Sequence, residues 1–126
     1  MEIITSDHAP AAIGPYSQAV RAGDFLFCSG QIGIDPNTKK LAGDDIRTQT
    51  GQIFKNIRAV LNAAGLDLED IVKTTVFLKS MDDFPVVNDT YGKEFGRHKP
   101  ARSTVEAARL PLNALIEIEC IAAFKK

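Results

Sequence analysis

The spacing of apolar and polar positions changes several times along this chain, and each change marks an element. Leu115-Ile116-Glu117-Ile118-Glu119-Cys120-Ile121 alternates strictly, with Ile116, Ile118 and Cys120 on one side and Glu117 and Glu119 on the other. A period of two is the signature of a half-buried strand. Same-face neighbours on a strand sit about 6–7 Å apart, so the two carboxylates share a surface. Upstream, Pro100-Ala101-Arg102-Ser103-Thr104-Val105-Glu106 opens another β-prone run, and the two are separated by a break at Leu110-Pro111-Leu112-Asn113.

Helical spacing appears twice. Ile46, Thr50, Ile53, Ile57, Val60, Leu61 and Ala64 recur on one stripe, with Asp44 or Asp45 as the capping residue and Gly65 as the stop. Residues about 82–95 predict a second helix with the stripe Phe84, Val87, Tyr91 and Phe95, ended by Gly96; Pro85 fits only in its first turn. Residues 1–15 read as loop. Ser17–Arg21 and Phe25–Ile32 read as strands joined by the turn Ala22-Gly23-Asp24, and Ile71–Lys79 as a third. Asp35-Pro36-Asn37 is a turn, and Gly30 and Gly33 suggest a bulge or a close backbone approach.

The order β-β-α-β-α-β-β predicts an α+β fold with two helices packed on one face of a mixed or antiparallel sheet. The other face is expected to carry Ser29, Gln31, Lys73, Thr75, Phe77, Thr104, Glu117 and Ile121. That set is too mixed for a core and too apolar for a free surface. A symmetric copy covering it is the natural solution, with small-molecule clefts where subunits meet.

Composition narrows the classes. A length of 126 residues predicts one domain spanning 1–126. A net charge of −1 offers no general attraction to nucleic acid or an anionic membrane. No apolar run is long enough to span a bilayer, and Met-Glu-Ile-Ile-Thr-Ser-Asp-His lacks the apolar stretch of a secretion signal. Cys28 and Cys120 are too few for a disulfide framework and read as reduced, packing thiols of a cytoplasmic protein.

The familiar chemical motifs are absent from the sequence. It has no phosphate-binding glycine loop, no dinucleotide fingerprint and no nucleophile elbow. His8 and His98 read as solvated surface residues, and two His with two Cys show no metal-ligand spacing. What remains is Arg102, Glu117, Glu119, Ser29, Tyr16, Asn88 and the turn at Gly30. An arginine and a glutamate on neighbouring strands can hold a small carboxylic acid beside a proton acceptor. Each also has a plain reading: an ion pair for Arg102, the wet face of a strand for Glu117 and Glu119, an exposed helix face for Asn88, and loop packing for Tyr16.

Six segments carry a resemblance that no one of them would carry alone. They are Ala9-Pro10-Ala11-Ala12-Ile13-Gly14-Pro15-Tyr16-Ser17-Gln18, Ser29-Gly30-Gln31-Ile32, Asn62-Ala63-Ala64-Gly65-Leu66, Val72-Lys73-Thr74-Thr75-Val76-Phe77-Leu78, the run 100–106, and Ile116-Glu117-Ile118-Glu119. In this order and spacing the chain resembles the RidA (YjgF) family of enamine/imine deaminases over nearly its whole length. The resemblance implies a chorismate-mutase-like fold and a homotrimer with a central sheet barrel and three clefts between subunits. It implies hydrolysis of 2-imino acids, such as 2-iminopropanoate and 2-iminobutanoate, to 2-oxo acids and ammonia, without cofactor or metal. Enamine forms would tautomerise to imines first.

By position, Arg102 matches the arginine that grips the substrate carboxylate, and Glu117 the glutamate that orients or activates water. Tyr16, Ser29, Gly30 and Asn88 match cleft-lining residues, and Thr104 stands where many relatives carry a cysteine. Two other readings accompany this one. The first is a binding or regulatory protein for 2-oxo or amino acids. The second is RNA cleavage, which the near-neutral charge and the lack of an arginine-rich or exposed aromatic platform disfavour.

Overall fold

The computed structural model describes residues 1–125. Its strands are β1 (Glu2–Ile4), β2 (Ala19–Ala22), β3 (Phe25–Gln31), β4 (Ile34–Asp35), β5 (Lys40–Leu41), β6 (Ile71–Leu78), β7 (Ala101–Glu106) and β8 (Ile116–Ala123); its helices are α1 (Ile46–Ala63) and α2 (Phe84–Phe95). A six-stranded sheet runs in the order β1-β2-β3-β8-β6-β7, and β4 and β5 form a separate ribbon. All main-sheet pairs are antiparallel except β6 with β7, which α2 connects. The α+β reading and the mixed sheet therefore hold.

The helix ends follow their local chemistry. Asp45 caps α1, accepting the Thr48 N–H at 2.9 Å. At the far end Gly65 takes a φ of 77° and donates to the Asn62 carbonyl at 3.0 Å, while Leu66 donates to Leu61 at 2.9 Å. That pair of bonds satisfies carbonyls the last turn would leave bare. α2 starts at Phe84, two residues later than the sequence suggests, because a 3-10 turn at Met81–Asp83 precedes it; Pro85 sits in its first turn.

β8 lies between β3 and β6, and its burial alternates along its whole length. Ile116, Ile118, Cys120 and Ala122 face the helices and meet Ile53, Phe54, Ile57, Val60 and Leu61 of α1 and Val87, Tyr91 and Phe95 of α2 in one core. Cys28 and Cys120 are free thiols directly opposed across β3 and β8. The neighbouring Cys28 thiol and burial push the Cys120 pKa upward, so Cys120 is a packed, protonated side chain. Gln49, Thr50 and Asn56 are buried within the α1 stripe. Asn56 Nδ2 donates to the Ile34 carbonyl at 2.9 Å, and Gln49 Oε1 accepts the Leu115 N–H at 2.9 Å.

The Asp35-Pro36-Asn37 turn holds and closes a ribbon, with Lys40–Leu41 pairing back on Ile34–Asp35. Three sequence readings need correction. Residues 1–15 are not all loop, since Glu2–Ile4 pairs with β2; a three-residue edge strand carries too little pattern to be read. Gln31 lies on the helix face, paired with Ile118, not on the open face. Between the pairs Cys28–Cys120 and Gln31–Ile118, Ser29 and Gly30 stand opposite Glu119 alone. That bulge shifts every later side chain to the other face. Thr104 also lies on the helix face, because β7 pairs it with Val76 rather than with Thr75.

The open face of the sheet is apolar at Phe77 and Ile121, as the sequence indicates, and also at Phe25, Phe27 and Val105. Phe25 is 45% exposed and Phe27 46%, with Val105 at 45%. Phe77 and Ile121 are half-buried beside them. Ile118 has no exposed surface at the centre of the core. Replacing it by alanine is expected to destabilise the fold by about 2–5 kcal/mol. Urea unfolding measures this; a loss below about 1 kcal/mol would mean that the core closes around the gap.

Candidate functional site

Two separate clusters hold the residues singled out above. The first is built at the β3 bulge. Gly30 has no side chain, and the Glu117 carboxylate occupies the space a Cβ would take: Cδ lies 2.9 Å and Cγ 3.1 Å from that position. Any other residue at 30 would push the carboxylate away. Ser29 Oγ donates to the Ser17 carbonyl at 2.6 Å, and Ser29 N–H donates to the Gln18 carbonyl at 2.9 Å. These bonds tie the Tyr16 segment to the bulge. Tyr16 itself is 54% exposed and donates its N–H to the Gly14 carbonyl at 2.9 Å, with Gly14 at a φ of 123°. Gln18 fixes the loop from beneath, accepting the Ser6 N–H at 2.6 Å and donating to the Pro10 carbonyl at 2.8 Å. Tyr16 lines a cleft of about 660 Å³ with Ile13, Ile34, Pro36 and Leu112 among others.

Glu117 is half-buried, and its pKa is raised, first by burial and then by the neighbouring Glu119 charge. Glu119 is exposed two residues along the same face. A carboxylate shifted toward neutrality is a stronger proton acceptor once ionised.

The second cluster lies at the β7 edge, on the helix side. Arg102 pairs with Thr74 of β6. Its Nη1 donates to Asn88 Oδ1 at 2.8 Å, and Cζ lies 4.8 Å from the Tyr91 ring centroid and 5.2 Å from that of Phe84. Cation–π contacts at an exposed site contribute about 0.5–1 kcal/mol each and restrict the fork's direction. The remaining guanidinium donors have no hydrogen-bond partner among the described residues. Thr104 follows on the same face; its Oγ1 is buried and without a hydrogen-bond partner. Asn88, Tyr91, His98 and Arg102 border a cleft of about 440 Å³.

Arg102 and Glu117 do not meet within one protomer. Arg102 aligns with Thr74 and Cys120, three residues from Glu117 and two strands away. Strand geometry puts their Cα atoms about 14 Å apart, and the side chains leave from opposite faces. Sequence reasoning names both residues and leaves open whether one or two subunits supply them; it places them on neighbouring strands, whereas β6 lies between β7 and β8. It missed the aromatic platform of Phe84 and Tyr91, which helical spacing marked only as core. It also read His98 as solvated, whereas its Nε2 is hydrogen-bonded to the Ile71 carbonyl at 2.6 Å and its ring lies 5.9 Å from Phe95.

Similarity to known proteins agrees with this arrangement of elements. The family model described as Endoribonuclease L-PSP matches residues 6–124. A 2-iminobutanoate/2-iminopropanoate deaminase of Salmonella typhimurium is 51% identical over 122 residues, covering 94% of each chain. The chain belongs to the RidA/YjgF family. A RutC family protein of Pyrococcus horikoshii is 54% identical over 121 residues, 96% of each chain. The crystal structure of E. coli TdcF with bound serine superposes at a TM-score of 0.95 with 41% identity, covering 99% of this chain and 100% of that one. Within this RidA/YjgF family member, no helix among the described residues is long and apolar enough to cross a membrane.

The raised Glu117 pKa fixes the sign of a pH effect. The folded state holds this proton more tightly than the unfolded state does. Its stabilising contribution is complete below the ordinary glutamate pKa and is lost as pH rises through the raised one. Glu117→Gln is expected to flatten that decline, and Glu119→Gln to lower the Glu117 pKa by removing a like charge. Carboxyl-carbon NMR titration and urea unfolding at several pH values check both. A Glu117 pKa unmoved by Glu119→Gln would leave burial as the whole cause.

Proposed function

We propose that this protein is a hydrolytic deaminase that converts small 2-imino acids, including 2-iminopropanoate and 2-iminobutanoate, to 2-oxo acids and ammonia. The observation that carries the reading is the preparation of two complementary half-sites. One is a braced guanidinium with unspent donors; the other is a half-buried carboxylate of raised pKa seated over a glycine. The deaminase relative from Salmonella typhimurium supports the reaction class, and TdcF with bound serine supports the size and polarity of the ligand.

The working unit is a homotrimer. The apolar open face packs against copies of itself around a central barrel, and each cleft joins the Arg102 edge of one protomer to Glu117 of the partner subunit. Tyr16, Ser29, Gly30, Asn88 and Thr104 line or brace that cleft, with Thr104 acting through its backbone because its hydroxyl is enclosed. No nucleic acid or membrane partner is part of this reading, and the compartment is the cytoplasm.

An imine carbon is electrophilic without help, so orientation supplies most of what the reaction needs. Arg102 offers parallel N–H donors to the substrate carboxylate. Glu117, ionised, takes a proton from the attacking water as the C–O bond forms. That proton is delivered to the imine nitrogen, giving a neutral carbinolamine; its hydroxyl proton then passes through the same carboxylate to the nitrogen as the C–N bond breaks and the C=O bond forms, and ammonia leaves with a 2-oxo acid. One water is consumed for each ammonia released.

Arg102→Lys is expected to lower kcat/KM by about 10–100-fold, the equivalent of one charge-assisted, two-point contact. Glu117→Gln is expected to retain 2-oxo acid binding and lose turnover. Mixing the two variants after reversible dissociation tests the shared cleft. About a quarter of clefts regain both groups if each cleft draws them from two chains. A dehydratase-coupled assay trapping free imine as a semicarbazone reads the recovery. No recovery would put the site in one chain, and suppression of the signal only at stoichiometric protein would favour a binding protein over an enzyme.

A further inference from the structure

We infer that Tyr91 is the positioning residue for Arg102, a phenol whose ring fixes the direction of the carboxylate-binding fork and whose hydroxyl locks that ring to the strand beside it. The inference rests on the deaminase reading only where it speaks of substrate. Its structural basis is independent. Tyr91 is 8% exposed, yet its ring lies under the guanidinium of exposed Arg102, with Cζ 4.8 Å from the centroid. Its hydroxyl is 2.7 Å from Thr74 Oγ1, which is 1% exposed. Thr74 is the residue that β6 pairs with Arg102. One side chain thus spans from the backbone neighbour of Arg102 to the charged end of Arg102, closing a loop through β6, α2 and β7.

The ring is held on its remaining sides. Phe54 meets it edge-on at 5.9 Å and Phe95 lies against it at 4.7 Å, both centroid distances. Asn88, one helical turn before Tyr91, holds Nη1 of the same guanidinium. With one nitrogen bound and one face stacked, the fork presents its free edge in a fixed direction. Burial raises the Tyr91 pKa, so the phenol stays protonated beside Thr74 Oγ1, and either oxygen can be the donor of that bond. An ordinary core tyrosine would need none of these alignments with Arg102.

The test uses the full chain with Tyr91→Leu, Tyr91→Phe and Thr74→Val, alone and with Arg102→Lys, and 2-oxobutanoate as a non-reacting probe. Tyr91→Leu is expected to weaken 2-oxobutanoate binding and raise KM about tenfold while kcat stays within about twofold, because grip on the carboxylate is lost equally from ground and transition states. Tyr91→Phe and Thr74→Val keep the stack and are expected to lose about threefold or less. In the Arg102→Lys background, Tyr91→Leu is expected to cost nothing more. An equal loss in that background, or unchanged binding by Tyr91→Leu, overturns the inference.

The Arg102 Nε–H resonance supplies a readout that needs no activity. In the native protein the ring current of Tyr91 should shift it, and Tyr91→Leu should abolish that shift while Tyr91→Phe preserves it. A resonance unmoved by Tyr91→Leu overturns the inference whatever the enzyme does. A lost shift in a protein that neither binds nor deaminates would instead retain Tyr91 as the positioning residue and remove the deaminase reading.

Discussion

β8 is paired on both sides over most of its length, with β3 and with β6, and the molecule is organised by the alternation of its side chains. Ile116, Ile118, Cys120 and Ala122 can be buried only under the two helices, so Glu117 and Glu119 must emerge on the other side. A one-residue slip would drive both carboxylates into the core, at a desolvation cost of several kcal/mol each. The apolar stripe of α1, the polar anchors within it and the register of β3 all serve this one placement. Gln49, which holds Leu115 at the entry to β8, is a direct example.

The same alternation separates the chemistry into halves. β7 follows β6 in parallel, and its register sends Arg102 toward α2 while Glu117 faces the open side. A flat sheet cannot bring groups on opposite faces to one small molecule. An open face carrying Phe25, Phe27 and Val105 in partly exposed positions, and an edge carrying a guanidinium with unused donors, are complementary deficits. In the proposed trimer the open faces cover one another, and the Arg102 edge of each copy meets the Glu117 side of its neighbour.

Each half-site is shaped by what surrounds it more than by its own sequence. The absence of a side chain at Gly30 makes room for Glu117, and burial beside Glu119 tunes its proton affinity. The Arg102 fork is directed by Asn88 and by two aromatic rings. One of those rings is itself anchored through Thr74 to the core. Arg102 stays accessible while Tyr91 and Thr74 beneath it are buried, an arrangement that limits the motion of a long side chain.

The sequence alone determined the elements that local periodicity governs: both helices, a cap at Asp44 or Asp45, the stop at Gly65, the alternation of β8 and the strands that flank it. It also singled out Arg102 and Glu117 as candidates, because short motifs survive as contiguous text. Pairing between distant segments decided the rest. The bulge at Ser29 and Gly30 moved Gln31 to the helix face, and the parallel register of β7 moved Thr104 there and parted Arg102 from Glu117. Neither is written in a period, since a strand reads the same against any partner and in either register. Tyr91 follows the same rule: helical spacing marked it as core, and only the crossing of α2 over β6 and β7 put its ring beneath a charge.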